Sequence, residues 1–269
     1  MTGTRGSSDP ARDAAYTVRL ARDDADLMAA QRLRYAVFVE ELGATCAGAD
    51  HEHRLERDSL DPYFDHLLLI DRTADPARLD RVVGVYRLLP QEQAQTLGRF
   101  YSDAEYDLTP LIASGRRLVE LGRSCVHPAH RRGAAMLHLW NGLAEYVIAR
   151  GIEIMFGVAS FHGADVAPHA EALSHLRAHH LAPEALRVTV RPGPQARAMS
   201  LVDPAAIDRA RALAAIPPLI RAYLRLGGFV GEGAYIDTDF NTTDVCLIMD
   251  TSAMSERAVD FYTRKSPRS

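Results

Sequence analysis

Lysine is almost absent from this chain: Lys265 is the only one among 31 basic residues, and the rest are arginines. Arginine makes planar, bidentate contacts to phosphate and carboxylate that lysine cannot, although coding bias alone produces the same composition. Cysteine is scarce too. Cys46, Cys125 and Cys246 are too few and too scattered for a disulfide framework, which suits a reducing compartment and points to the cytoplasm. No apolar run approaches the roughly 20 residues of a spanning helix, and the opening MTGTRGSSDPARD lacks the apolar stretch of a signal peptide. Membrane spanning and export by that route are therefore excluded. Peripheral contact with the inner membrane stays open through the apolar stretch of residues 216 to 226, for which core packing is the other use. Excess positive charge is also missing. A net charge of -4 and a pI of about 6.3 leave no global footprint of a nucleic-acid binder, so any basic docking patch is local.

What is present suffices for a full core, with 269 residues of which 47% are hydrophobic. Residues 1 to 14 are small and polar and read as a disordered leader, and residues 15 to 269 as a single domain. Residues 16 to 21 read as a strand, followed by the acidic helix start Asp23-Asp24 and a helix carrying Leu27, Gln31, Arg34, Tyr35 and Phe38. Residues 43 to 62 show neither helical nor strand period, so they read as a long functional loop, a candidate lid. Two apolar runs, 66 to 71 (HLLLID) and 81 to 89 (RVVGVYRLL), flank Asp75-Pro76 as adjacent antiparallel strands, and 117 to 126 (RLVELGRSCV) is a third. A helix then places Met136, Leu139, Trp140, Leu143, Ala144, Val147 and Ile148 on one face and ends at Gly151. Residues 152 to 160 form a buried strand, residues 162 to 226 a helical, His-rich insertion, residues 229 to 236 and 244 to 249 two more strands, and a short helix closes the chain.

The central unit is a strand, then HPAHRRGAA, then the amphipathic helix and a strand. A helix opening on Gly133, Ala134 and Ala135 offers free backbone N–H groups without bulky side chains, and Arg131 and Arg132 add charge, so this is a candidate site for the phosphate of phosphopantetheine or coenzyme A. Taken alone, the signal is weak, and the pattern reads first as a solvated turn. In the preceding strand Glu120 and Arg123 differ in parity and would face opposite sides, but Gly122 between them invites a bulge that realigns them and opens the sheet. A pantetheine arm can lie in such an opening as an extra strand, ending beside residues 120 to 124.

This arrangement resembles the GNAT superfamily of N-acyltransferases, although HRRGAA departs from the usual Gly-x-Gly/Ala form of its phosphate loop. The stretches RLRYAVFVEELG (32 to 43), DPYFDHLLLID (61 to 71), VVGVYRLLP (82 to 90) and ELGRSCVHPAHRRG (120 to 133) resemble the branch that uses acyl carrier protein. So do LHLWNGLAEYVIARGIEIMFGVASFHG (137 to 163) and AYLRLGGFVGEGAYIDTDFNTTDVCLIMD (222 to 250). That branch holds the acyl-homoserine-lactone synthases and the bacterial ornithine acyltransferases, and the chain is most similar to the latter. The resemblance implies an α/β fold with a mixed, mostly antiparallel, splayed sheet flanked by helices. It also implies transfer of a 3-hydroxyacyl group from acyl carrier protein to the α-amino group of L-ornithine, giving lyso-ornithine lipid, the first step of ornithine lipid synthesis. No cofactor is bound permanently; the donor arm is the carrier protein's 4'-phosphopantetheine.

Amide formation needs a free amine, a stabilised oxyanion and an exit for one proton. Glu120 is the candidate base, with a merely organising pairing to Arg123 or Arg87 as the other reading. Arg123 and Ser124 complete the candidate catalytic stretch, a backbone N–H near Ser124 or Cys125 being the oxyanion donor. Cys125 has no histidine at a fixed spacing and reads as core rather than as an acyl relay. Arg34 resembles the arginine of the acyl-homoserine-lactone synthases, so it is a candidate for ordering the loop or binding substrate. Asp58, Asp61 and Asp65 are candidates for the ornithine side-chain ammonium, Arg87 for its carboxylate, and Asn241 and Asp244, within the polar stretch 241 to 244, for the acceptor site. Loop capping and turn chemistry explain the acidic and polar ones equally. The histidines lack partners at ligand spacing, so no metal is expected. A carrier-protein dock of Arg131 and Arg132, with Arg116 or Arg117 nearby, would suit an acidic carrier protein. Two rivals stand beside this reading. One is an acyl-homoserine-lactone synthase, against which the chain length and FNTTDV count; the other is a non-catalytic module that binds carrier protein or lipid.

Overall fold

Strands form where apolar residues run without interruption, because both faces of the central sheet are covered. The computed structural model describes residues 15 to 253 apart from 76, 132 and 133, so the expected leader, the remainder of the expected terminal helix and Lys265 lie outside the described residues. The main strands are β1 (Tyr16–Leu20), β2 (Asp65–Asp71), β3 (Val82–Pro90), β4 (Leu118–Val126), β5 (Ile154–His162), β6 (Ala234–Asp237) and β7 (Thr242–Asp250). They are ordered β1-β2-β3-β4-β5-β7-β6, with Ala196–Arg197 on the β6 edge and Phe229–Val230 beside β7. Neighbours run antiparallel except β4 and β5. The mixed, mostly antiparallel sheet expected from the sequence is therefore the one observed. The expected strand over 229 to 236 is broken in two where Glu232 exchanges hydrogen bonds with Val188 and Val190, and Gly231 packs too close to Val188 for a Cβ.

Alternate residues of β2 enter different cores. Leu67 and Leu69 join the large cluster with Leu139, Trp140 and Leu143, while Leu68 and Ile70 meet Ala29, Ala30 and Leu33. Helix α1 (Asp24–Arg34), capped by Asp23, therefore covers one face. Helices α2 (Ala135–Arg150), α3 (Ala170–His180) and α4 (Pro218–Arg225) cover the other. Helix α2 ends at Gly151 in the left-handed region, as expected, but its buried face runs through Ala135, Leu139, Trp140, Leu143, Tyr146 and Val147. Met136 and Ile148, expected on that face, are exposed on its flanks. Tyr146 belongs to it instead, its hydroxyl bonding Asp65 at 2.8 Å. A third core, around Phe100, Tyr106, Leu108 and Phe156, lies on the α1 side of the β4–β5–β7 half. The site lies between this core and that of α1.

Two local departures shape the site. Beyond Arg34 the first helix widens into a π-helix, Tyr35–Glu41, which the sequence period did not reveal. Such widening is frequent at functional sites, and here it carries Phe38 to the cavity wall. The expected long loop contains a short strand pair, Ala49–Asp50 with Leu55–Glu56, and a 3-10 turn, Asp61–Tyr63. The stretch of residues 216 to 226 turns Ile216, Ile220 and Tyr223 into the core.

Candidate active site

Strands β4 and β5 pair only from Leu118/Ile154 to Glu120/Phe156. Beyond that point β4 stays on β3 while β5 follows β7, so the sheet splits. Two features set the split. On β5, a Cβ at Gly157 would run into the Leu121 carbonyl oxygen, so only glycine permits the closest approach. On β4, Val85 faces Cys125 and Arg87 faces Gly122, which leaves Arg123 and Ser124 together opposite Tyr86. This is the bulge expected at Gly122, but the left-handed residue is Arg123, with φ of 48°. The bulge brings Glu120 and Arg123 to the same cavity.

Three arginines from different elements meet three carboxylates of the loop. Arg34, fully buried, donates to Glu56 and through both terminal nitrogens to Asp61, at 2.8 and 2.9 Å. Arg87 donates from Nη1 to Asp58 at 2.7 Å and to Asp61 at 3.0 Å, above the Phe64 ring. Arg123 donates to Glu56 at 3.3 Å and lies 4.2 Å over the Phe240 ring. The loop is thus an anchored arm rather than a free lid. Burial works against the charge of Asp61, yet Arg34 and Arg87 hold its carboxyl well below the ordinary range.

Glu120 accepts hydrogen bonds from the backbone N–H groups of Tyr101 at 2.6 Å and Ser102 at 2.8 Å. Burial raises its pKa, with the Ser102 and Tyr101 donors and Arg87 pulling it back. Its carboxylate thereby fixes the turn that puts the Tyr101 ring beneath both Arg87 and Arg123. Four residues after Tyr101, Glu105 approaches Asp237, at the end of β6, and Asp244, on β7. One oxygen from each lies within 4.8 Å of the others. Burial, then the neighbouring carboxylates, push Glu105 well above the usual range. Burial likewise raises Asp244 to about 6, against the pull of the Ser160 and Thr242 side chains.

The cavity runs through the split. On one side Leu121, Met155, Leu219, Tyr223, Leu247 and Met249 make an apolar wall. On the other stand Arg87, Arg123, Glu105, Asp237 and Asp244. Not every expected residue reaches it. Arg34 and Asp61 lie behind the wall as the anchor of the loop, and Asp58 is held by Arg87. Asp65 faces α2 instead, bonded to Tyr146 and Arg150, so it cannot serve the acceptor. Asn241 is a left-handed turn residue that accepts from Ala164 N–H at 3.2 Å and is exposed outside the cavity. Cys125 packs against α1, and burial pushes its thiol up to about 12.

Ala134 and Ala135 open α2 with no side-chain cap, as an anion site requires, whereas Arg132 and Gly133 lie outside the described residues. Arg131 is paired with Glu41 at 2.6 Å. Arg116 and Arg117 precede β4 and Arg131 follows it, so nine strand residues, about 30 Å, separate them. The sequence reading missed Glu56, Tyr101, Glu105, Asp237 and Phe240. The acidic spacing of SDAEYD (102 to 107) is the one local signal for Glu105.

Residues 33–141 match the acetyltransferase (GNAT) domain family. A Rhodobacter capsulatus protein named L-ornithine N(alpha)-acyltransferase is 63% identical over 251 residues, covering 93% of this chain and 96% of that one. A Rhizobium meliloti protein of the same name is 41% identical over 253 residues, covering 93% of this chain and 85% of that one. Among solved structures, a CoA-dependent acyl-homoserine lactone synthase is 16% identical with a TM-score of 0.49, over 92% of this chain and 94% of that one.

Proposed function

The chain belongs to the L-ornithine N(alpha)-acyltransferase family, and from that premise we propose that it moves a 3-hydroxyacyl group from acyl carrier protein to the α-amino group of L-ornithine. The product is lyso-ornithine lipid, in the first step of ornithine lipid synthesis. The observation that carries this reading is the cavity through the split sheet, apolar on one side and charged on the other. An acyl chain suits the wall of Leu121, Met155, Leu247 and Met249; a zwitterionic amino acid suits the arginines and carboxylates. The phosphopantetheine arm enters between β4 and β5, its phosphate at the uncapped start of α2, where Arg131 exchanges Glu41 for the phosphate. Arg87, whose buried Nε has no hydrogen-bond partner, receives the acceptor's carboxylate.

The amine nitrogen bonds to the thioester carbon, and charge moves to the carbonyl oxygen. A backbone N–H near Ser124 or Cys125, at the bulge, stabilises that oxyanion. Collapse breaks the C–S bond, and the departing thiolate takes the proton that the amine gives to Glu120, directly or through water. Arg123 holds Tyr101 and Phe240 around the reacting atoms. The test is mass spectrometry of products from the purified protein with 3-hydroxyacyl carrier protein and ornithine, lysine or S-adenosylmethionine. N-acyl ornithine is expected. A lactone from S-adenosylmethionine, or no product despite carrier-protein binding, would overturn the reading.

A further inference from the structure

Beside Glu120, which is held by the backbone N–H groups of Tyr101 and Ser102, six acidic residues near the cavity fall into two unlike groups. Glu56, Asp58 and Asp61 are each paired with arginine. Glu105, Asp237 and Asp244 have no ion pair among the described residues. Glu105 is 5% exposed and Asp244 3%, and the Oε2 of the first and the Oδ1 of the second accept no hydrogen bond. Asp237 accepts from the N–H groups of Asp239 and Phe240 through Oδ1 alone. Buried carboxylate oxygens without donors are unfavourable unless something fills the space between them. All three residues line the cavity that also holds Gly122, Arg123 and Ser124.

We propose that Glu105, Asp237 and Asp244 form the seat of the acceptor's side-chain ammonium and so select an amino acid that carries a terminal amine. This inference rests on the reading of the chain as an acyltransferase for ornithine. An atom centred in the plane of three oxygens that lie within 4.8 Å of one another sits about 2.8 Å or less from each, within reach of N–H···O bonds. An ammonium has three N–H donors for three acceptors. A cation there offsets the mutual repulsion of the three carboxylates, which otherwise favours protons on Glu105 and Asp244. Arg87 and the cluster then address opposite ends of one zwitterion with a second amine, leaving the α-amine toward the bulge.

The test compares kcat/KM for ornithine and for norvaline, which is ornithine without the terminal amine, in the wild type, Asp244→Asn and Glu105→Gln. The ornithine-to-norvaline ratio should be large in the wild type and fall roughly 100-fold in either variant, the scale for losing a charged, buried hydrogen-bond partner. Melting temperature serves as the fold control, and each variant should melt no lower than the wild type, because a repelling carboxylate has become neutral. Calorimetry with MgCl₂ or CaCl₂ alone should show no heat that Asp244→Asn removes. Wild-type failure to acylate ornithine overturns the substrate reading and this inference together. Turnover of ornithine with an unchanged ratio in both variants overturns the cluster alone, as does tight metal binding that Asp244→Asn abolishes.

Discussion

Arg34 and Asp244 show two ways in which one buried charge is carried. Arg34 is matched by Glu56 and Asp61 on nearly every donor, so Arg34→Ala should destabilise the fold by about 3–5 kcal/mol, the range for removing one partner of a buried pair. Urea unfolding checks this, and loss of activity without loss of stability would assign Arg34 to the chemistry instead. Asp244 has no such match, and its pKa stands at about 6. A carboxyl that holds its proton more tightly folded than unfolded adds stability at low pH and loses it as pH rises through about 6. The ligand-free protein should therefore lose melting temperature between about pH 4 and 7 from this group, and Asp244→Asn should reduce that loss. Binding of ornithine runs the other way: its affinity should weaken as pH falls through about 6, as titration calorimetry would record. Cys125, with its thiol at about 12, contributes no nucleophile, so Cys125→Ala should keep kcat within about twofold.

At the scale of elements, the split between β4 and β5 is set by two glycines with opposite surroundings. A Cβ on Gly122 meets nothing within 4 Å, whereas one on Gly157 strikes the Leu121 carbonyl. Gly122→Val should fold normally yet lower kcat/KM at least tenfold by filling the cleft; Gly157→Val should lower the melting temperature first. Steady-state rates beside thermal melts separate these outcomes. The strands were legible in sequence because runs such as HLLLID are buried on both faces, and the bulge was legible because Gly122 interrupts the parity of Glu120 and Arg123. The π-helix was not, since Tyr35 and Phe38 fit an α-helical period as well. Nor was the acidic cluster: Glu105 and Asp244 lie 139 positions apart and meet only because β7 pairs with β5 while the 101–105 turn hangs on Glu120. Asp61 and Asp65 read alike in sequence. The turn at Asp61–Tyr63 sends them to different neighbours, Arg34 and Arg150.

Across the whole molecule, the split joins two unlike surfaces, an apolar wall on one face of the sheet and arginines and carboxylates on the other. No helix among the described residues is long and apolar enough to cross a membrane. The basic residues are divided as well. Arg131 follows the end of β4 that has parted from β5 and Arg117 precedes the end still paired with it, so Arg131→Glu should raise KM for the carrier protein several-fold at low salt while Arg117→Glu leaves it within about twofold. The most direct measurement is a crystal structure with N-acyl ornithine bound. The acyl chain should lie between β4 and β5 against Met155 and Leu247, with the side-chain ammonium among Glu105, Asp237 and Asp244. A product whose chain avoids the split, or whose ammonium is held by Asp58 or Asp61, would contradict the account.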